Sequence, residues 1–381
     1  EAWIARMGEV QGKSADETAP LKGMIAGFAE AMSSEQRHLW NVRQVYIALG
    51  QLLTAAAVAG VDACPLEGIS APAYDRILGL EGSGYATAVA GKWGLGEPGN
   101  EGIPNRQGFD HWFGYFNNDL AEFYYPEKIW KNETEITLPG NLGGKRGQYS
   151  NDLMTDEALA FMDANRAKPF FLYLAYTIPH SLLEVPADSL AEYAGKFPEP
   201  PPSGKGGKND TAQPRATFAG MVSRLDREVG RVLEKLRALG LEENTVVFFC
   251  SDNGAPERNG LAQFFGSTGP FRGYKGSLWE GGIHAPMIVR WPGKIAAGKR
   301  SDFPWAGWDL LPTAAARAGT TPPSNIDGID VMPALRDGRR ERPGYLYWEN
   351  VQSVFAQAVR LGDLKAIRHD PASAIQVYDL R

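Results

Sequence analysis

Apolar side chains fall into two rhythms along the chain, and the change comes near Gly84. Before it, Leu39, Val42, Val45, Tyr46, Leu49, Leu52 and Leu53 recur three and four apart. That spacing gathers side chains on one face of a helix, and Gly60 predicts its end. A turn bounded by Pro and Gly, Val61 to Gly68, and a second helical stretch, Tyr74 to Leu80, follow. After Gly84 the unit changes to strand-length apolar runs: Pro169 to Ile178, Thr245 to Cys250 and Pro286 to Trp291. Continuous rather than alternating runs predict strands buried on both faces, in a sheet sandwiched between helices. Between the first two, Phe218, Met221, Val222, Leu225, Val229, Val232, Leu233, Leu236 and Leu239 predict an amphipathic helix stopped by Gly240. This strand–helix–strand order predicts an α/β fold. Phe197 to Pro214, rich in Pro, Gly and Lys, reads as a surface excursion, because the same strand character resumes after it.

Composition narrows the function classes. The 381 residues carry 39 basic and 45 acidic side chains, a net charge of −6, which gives no electrostatic footprint for nucleic acid or for an anionic membrane. The apolar run Leu52 to Val61 is about half of the ~20 residues a membrane span needs. With 17 Phe, 14 Tyr and 10 Trp the chain can build a sizeable core. Cys64 and Cys250 are the only cysteines, so neither a disulfide framework nor a Cys-based metal site is expected.

Candidate chemistry gathers where strands end. Phe249-Cys250-Ser251-Asp252-Asn253-Gly254 closes an apolar run with two oxygen-bearing side chains, and ligands of open α/β sheets collect at the carboxyl ends of strands. Asp252 and Asn253 are therefore candidate oxygen ligands for Ca²⁺ or Mg²⁺, the other reading being a turn that closes the strand. Downstream, glycines flank Arg272, Lys275 and Glu280 and would let backbone and cationic heads approach a bound anion. Upstream, Lys92 sits among glycines in Gly91 to Gly96, and His180 follows Pro179 at the end of another apolar run. Two cations, a titratable imidazole and a carboxylate–amide pair are the equipment for an anionic ester, with charge neutralised by the lysines and leaving-group help from His180.

The segments Gly84 to Gly96, Gly108 to Tyr115, Pro169 to Tyr173, Pro179-His180, Ser251 to Gly254, Arg272 to Ile283, Asp309 to Thr313, Asp327 to Asp330 and Val359 to Lys365 together resemble the arylsulfatase family, in order and at family spacing. The resemblance implies an alkaline-phosphatase-like sulfatase fold: a central mixed sheet between helices and a smaller C-terminal sheet. It implies hydrolysis of sulfate monoesters, small-molecule or carbohydrate, by a formylglycine made from Cys or Ser in a Cys/Ser-X-Pro/Ala-X-Arg motif, with Ca²⁺ and lysines holding the sulfate. By the same resemblance Lys92 and Lys275 are sulfate-binding lysines, His180 is the leaving-group histidine, and Asp252 with Asn253 is half of the metal shell. The pattern is departed from in three places. Gly94 stands where the family has a second histidine, and the family's opening strand with two metal-binding aspartates is not found before Gly84. No formylglycine motif is present either: Cys64 is followed by Pro-Leu-Glu-Gly, Cys250 by Ser-Asp-Asn-Gly, and Ser70-Ala-Pro-Ala-Tyr74 ends in Tyr, reading as a helix start. Hydrolysis by this chain is therefore expected to be impaired, and the large sheet to carry an unpaired edge.

The residues before Gly84 resemble a second family. Arg43 to Gly50, Gly60 to Gly68, Ile77 to Leu80 and Gly84-Tyr85 are similar to the C-terminal half of the flavin-dependent nitroreductases, where Glu67 and Gly68 would lie against the flavin. That family's phosphate-binding segment and later Lys or Arg are missing from the pattern, so FMN binding is not expected. The expected organisation is a nitroreductase-like helical fragment over 1–84, a sulfatase α/β domain over 85–306 and a C-terminal subdomain over 307–381, joined near Gly84–Thr87 as two unrelated coding pieces. Sulfatases are commonly exported; the opening residues show no signal-peptide pattern, and no compartment is assigned.

Overall fold

The computed structural model describes residues 84–201, 211–338, 341–350 and 355–381. The chain divides between Glu67 and Gly68, and all described residues belong to the second unit. The expected helices around Leu39–Leu53 and Tyr74–Leu80, the Pro65–Gly68 turn, Ser70–Tyr74, Cys64 and the middle of the Phe197–Pro214 excursion lie outside the described residues.

The large sheet is built around β1 (Ala86–Lys92), which runs parallel to β2 (His111–Tyr115) on one side and to β5 (Phe170–Ala175) on the other. Its small side chains alternate between two cores. Ala86 and Ala88 pack with Phe161 of helix α1 (Ser150–Ala164) and Ala90 with its Met154, whereas Val89 meets Ile103, Trp112 and Phe116. Strands β3 (Lys128–Lys131) and β4 (Thr134–Thr137) extend the sheet antiparallel, giving the mixed order β4-β3-β2-β1-β5.

The three runs read as strands buried on both faces are strands, but none is buried in that way. In β5, Phe170 and Leu172 pack beside Phe161, while Phe171 and Tyr173 on the opposite face are 40% and 48% exposed. β6 (Val247–Cys250) pairs antiparallel with β7 (Met287–Arg290) in a separate two-stranded sheet, and Ile288 is largely exposed. The cause is topological: among the described residues β5 is an edge strand, and no third strand joins β6 and β7. The helix between β5 and β6, α3 (Pro214–Ala238), starts with Pro in its first turn as Pro's fixed φ favours. Met221 and Leu236 are buried as its periodicity predicts, Val222 is exposed, and the buried face also takes Arg224 and Glu228. Arg224 is tolerated there because its Nε donates to Asp152 at 2.7 Å and its Nη1 to Asp188 at 2.9 Å, the latter on the short helix α2 (Ala187–Ala191). Among the described residues no helix is long and apolar enough to cross a membrane.

A smaller antiparallel sheet, in the order β11-β10-β9-β8, comprises β8 (Leu346–Asn350), β9 (Ala356–Leu361), β10 (Leu364–Arg368) and β11 (Gln376–Asp379). Its inner residues Ala356, Ala358 and Ile367 pack on Leu278 and Trp279. The contact is pinned by charge. Lys365, only 2% exposed, donates to Glu280 Oε1 at 2.6 Å, and Arg360 lies 3.7 Å from Glu280 Oε2. Burial by itself would raise the Glu280 carboxyl, but hydrogen bonding to His284 and Lys365 and the Arg360 charge outweigh it and hold the group at about 2. Nearby, Asp309 is fully buried yet saturated: it accepts from Ala306 N, Ile329 N and both Nη atoms of Arg342. This explains structurally why an Asp opens the helix α6 (Leu310–Ala318), which follows the short α4 (Leu261–Phe265) and α5 (Glu280–Ile283) in the chain and precedes α7 (Met332–Asp337).

Glu280→Ala would strand the Lys365 ammonium without its carboxylate, and the expected loss is about 3–5 kcal/mol, read as a lower urea midpoint at unchanged slope. The Glu280 carboxyl is lowered in the folded chain, so its contribution is present above its ordinary 4.5 and is lost as pH falls towards about 2. Urea titrations across that range should show the loss in wild type and a smaller one in Glu280→Ala.

Candidate anion site

The site forms where three chain segments meet at His180. The first is the carboxyl end of β1. Gly91 and Gly114 adopt φ of +136° and +152°, and a Cβ on Gly91 would stand 1.9 Å from the Ala175 carbonyl oxygen. Only glycine permits so close a backbone approach, and the next residue is Lys92. Beyond it Gly94 has φ +79°, with Asn118 Oδ1 3.0 Å from where a Cβ would stand.

The second and third segments are the loops after β6 and before β7, joined by a glycine seam. A Cβ on Gly254 would meet the Gly281 carbonyl oxygen at 1.9 Å, and one on Gly281 would meet the Gly273 oxygen at 2.2 Å. Backbone bonds close the seam: Gly254 N to Gly282 O at 2.9 Å, Lys275 N to Ala255 O at 3.0 Å and Gly281 N to Arg272 O at 2.8 Å. The seam brings Lys275 Nζ to 3.3 Å and Arg258 Nη2 to 3.4 Å from His180 Nε2.

Two cations at one ring nitrogen define the state of the imidazole. Nε2 faces donors and so presents its lone pair, which leaves Nδ1 to carry the proton towards Ser181 Oγ at 3.3 Å and Glu122 Oε1 at 3.7 Å. Burial, then the charges of Lys275, Arg258 and Lys92, lower His180 below its ordinary 6.5 against the opposing Glu122 carboxylate. Burial likewise lowers the Lys275 ammonium, with Lys92 and Arg258 adding to the shift and Asp252 opposing it.

Of the residues singled out from the sequence, Lys275 and His180 are in direct contact, and Lys92 and Asp252 lie close enough to act on them electrostatically. Arg272 and Glu280, flanked by the same glycines as Lys275, turn away: Arg272 stacks over Trp279 at 4.1 Å and Glu280 serves Lys365. Glu122 and Arg258 belong to the site and were not read from the sequence. Arg258 could have been noticed in the loop that follows Asp252-Asn253, whereas Glu122, in a single turn over Leu120–Glu122, carries no local signal.

Asp252 is exposed, and the Asn253 amide donates to Gly254 O at 3.0 Å. Ca²⁺ takes about six to eight oxygen ligands. One carboxylate and one amide oxygen do not make such a shell, and among the described residues no group of three or more His, Cys, Asp or Glu could hold a metal. The residues described here therefore do not fit a Ca²⁺ centre by themselves. Cys250, at the end of β6, is a free thiol raised by burial and by Asp252.

A mixed sheet flanked by helices, with lysines, an arginine and a histidine gathered at strand ends, defines an α/β protein with a candidate anion site. The sulfatase family model matches residues 79–320, and the chain belongs to the sulfatase family. The family is in general metal-dependent. The nitroreductase family model matches residues 14–91, almost all outside the described residues. N-acetylgalactosamine-6-sulfatase of Mus musculus is 33% identical over 300 residues, covering 75% of this chain and 53% of the relative. Arylsulfatase of Hemicentrotus pulcherrimus is 30% identical over 307 residues, covering 75% and 50%. The chain thus spans about half the length of the curated relatives it matches. Among solved structures, Ps i-CgsB in complex with k-i-k-neocarrahexaose superposes with TM-score 0.64 at 28% identity, covering 83% of this chain and 69% of that one. BT4656 in complex with its substrate D-glucosamine-2-N,6-O-disulfate shares the fold at TM-score 0.60 and 20% identity, covering 80% and 74%. The fold is the alkaline-phosphatase-like fold of the sulfatases.

Two measurements test this geometry. Gly254→Ala should open the seam, costing about 1–3 kcal/mol of stability and removing anion-dependent stabilisation; an unchanged melting temperature would contradict the seam. A bound anion would offset the cations that lower His180, so binding takes up a proton. Sulfate affinity, measured calorimetrically, should rise as pH falls below 6.5 and level off once His180 is protonated in the free chain as well. His180→Gln should flatten that profile.

Proposed function

We propose that this chain binds sulfate monoesters through Lys92, His180 and Lys275, and that its own hydrolytic activity is impaired. The observation that carries the reading is the pair of cations held at His180 Nε2, Lys275 at 3.3 Å and Arg258 at 3.4 Å. Lys92 and Lys275 would neutralise sulfate oxygens. His180, once protonated on Nε2, would donate a hydrogen bond to the ester oxygen on the leaving-group side of the bound sulfate, while Glu122 and Ser181 hold Nδ1. Family membership and the relatives' names support a sulfate ester, small-molecule or carbohydrate, as ligand. We further take 85–306 and 307–381 as main and C-terminal parts of one sulfatase unit, supported by the position of β8–β11, all after residue 307.

What these residues do not supply is the nucleophile. Within the 381 residues no Cys or Ser stands in a Cys/Ser-X-Pro/Ala-X-Arg motif, and Cys250 is followed by Ser-Asp-Asn-Gly. Asp252 and Asn253, proposed as metal ligands, would need further oxygen donors to hold Ca²⁺. No step through a metal or a formylglycine is derived from this chain.

The test pairs binding with turnover. Inorganic sulfate should raise the melting temperature of the wild type, and Lys275→Ala should weaken that binding about ten- to a hundred-fold, as expected for ~1.5–3 kcal/mol from a charged hydrogen bond. An aryl sulfate with Ca²⁺ present should be hydrolysed at background rate, with no formylglycine by mass spectrometry. Turnover well above background that disappears in Lys275→Ala would overturn the impairment.

A further inference from the structure

Asp252 and Asn253 offer a Ca²⁺ ion little, and what surrounds them opposes it. The Asn253 amide is turned to its own chain, donating to Gly254 O at 3.0 Å. Asp252, exposed after β6, lies near enough to Lys275 to stabilise its ammonium. Among the described residues no group of three or more His, Cys, Asp or Glu could hold a metal. Ca²⁺ needs about six to eight oxygen ligands, so one carboxylate and one amide would leave most of its hydration shell in place. An ion beside Asp252 would also meet the like charge of Lys275.

The anion's charge is answered without it. Lys275 Nζ and Arg258 Nη2 come from the two loops that the glycine seam joins, and they converge on one nitrogen, His180 Nε2, at 3.3 and 3.4 Å. Two cations sharing one neutral acceptor repel each other, and a sulfate group in reach of both relieves that repulsion with charged hydrogen bonds. Lys92 adds a third positive charge, while Glu122 and Asp252 bring two negative ones. The groups that act most strongly on His180 and Lys275 thus leave a surplus of one positive charge, and a sulfate monoester carries one negative charge. A divalent ion would raise the surplus to three, well beyond what one ester neutralises.

Resting on the sulfate-ester reading, we propose that this chain binds its sulfate ester without a metal ion, Arg258 and Lys275 together supplying positive charge that a metal supplies in the generally metal-dependent family. Asp252 then does the opposite of what a metal ligand does: it competes with the ester for Lys275.

Calorimetric titration of the whole chain with a monosulfated monosaccharide, once with EGTA and once with Ca²⁺ at matched ionic strength, tests this. The two affinities should agree within about two-fold. Asp252→Asn distinguishes the two roles by sign. With EGTA present it should tighten binding about three-fold or more, because one fewer negative charge opposes the ester, whereas loss of a metal ligand would weaken binding with Ca²⁺ present. Arg258→Gln should weaken binding about ten-fold or more, and Ca²⁺ should not restore it. The inference alone is overturned by wild-type binding that tightens more than about two-fold with Ca²⁺, by Asp252→Asn failing to tighten it, or by Arg258→Gln binding as well as wild type. Failure of the wild type to bind the ester in either condition overturns the sulfate-ester reading and the inference with it.

Discussion

Everything at the candidate site depends on how closely two loops approach at the glycine seam. Gly254, Gly281 and Gly282 let carbonyl oxygens stand 1.9–2.2 Å from where a Cβ would be, a separation no side chain tolerates. The seam has a direct electrostatic result. It fixes Lys275 through its backbone bond to Ala255 and places it, with Arg258, at the same nitrogen of His180. Loops of ordinary composition would hold those cations further apart, and their mutual repulsion would then favour solvent.

Around this point the fold divides its labour. β1 and its neighbours hold Lys92 rigidly, since a strand buried between parallel partners cannot shift without breaking two ladders. The smaller sheet holds the other end of the Gly-rich loop, because Glu280, one residue before Gly281, is anchored to the buried Lys365. The charged residues flanked by glycines thus split into two jobs: Lys275 faces the site, while Arg272 and Glu280 secure the loop that carries it.

Much of this was legible in the sequence. Apolar runs located β5, β6 and β7, and the periodicity from Phe218 to Leu239 located α3, because local pattern follows from local backbone geometry. The depth of burial was not legible. Phe171, Tyr173 and Ile288 read as buried but are exposed, since burial depends on which strands lie alongside, a property of topology. The same distinction holds at the site. Lys92, His180 and Lys275 stand out because glycines or strand ends mark them, whereas Glu122 and Arg258 act through a distance in space that no spacing along the chain encodes.

Lys275 and Arg258, both turned to Nε2 of His180, are proposed to form one anion site with it. A crystal structure of the chain grown with a sulfated monosaccharide tests it most directly. Sulfate oxygens are expected within hydrogen-bonding distance of Lys275 Nζ, with His180 Nε2 at the ester oxygen. A sulfate bound elsewhere, with Lys275 and Arg258 still turned to Nε2, would contradict it.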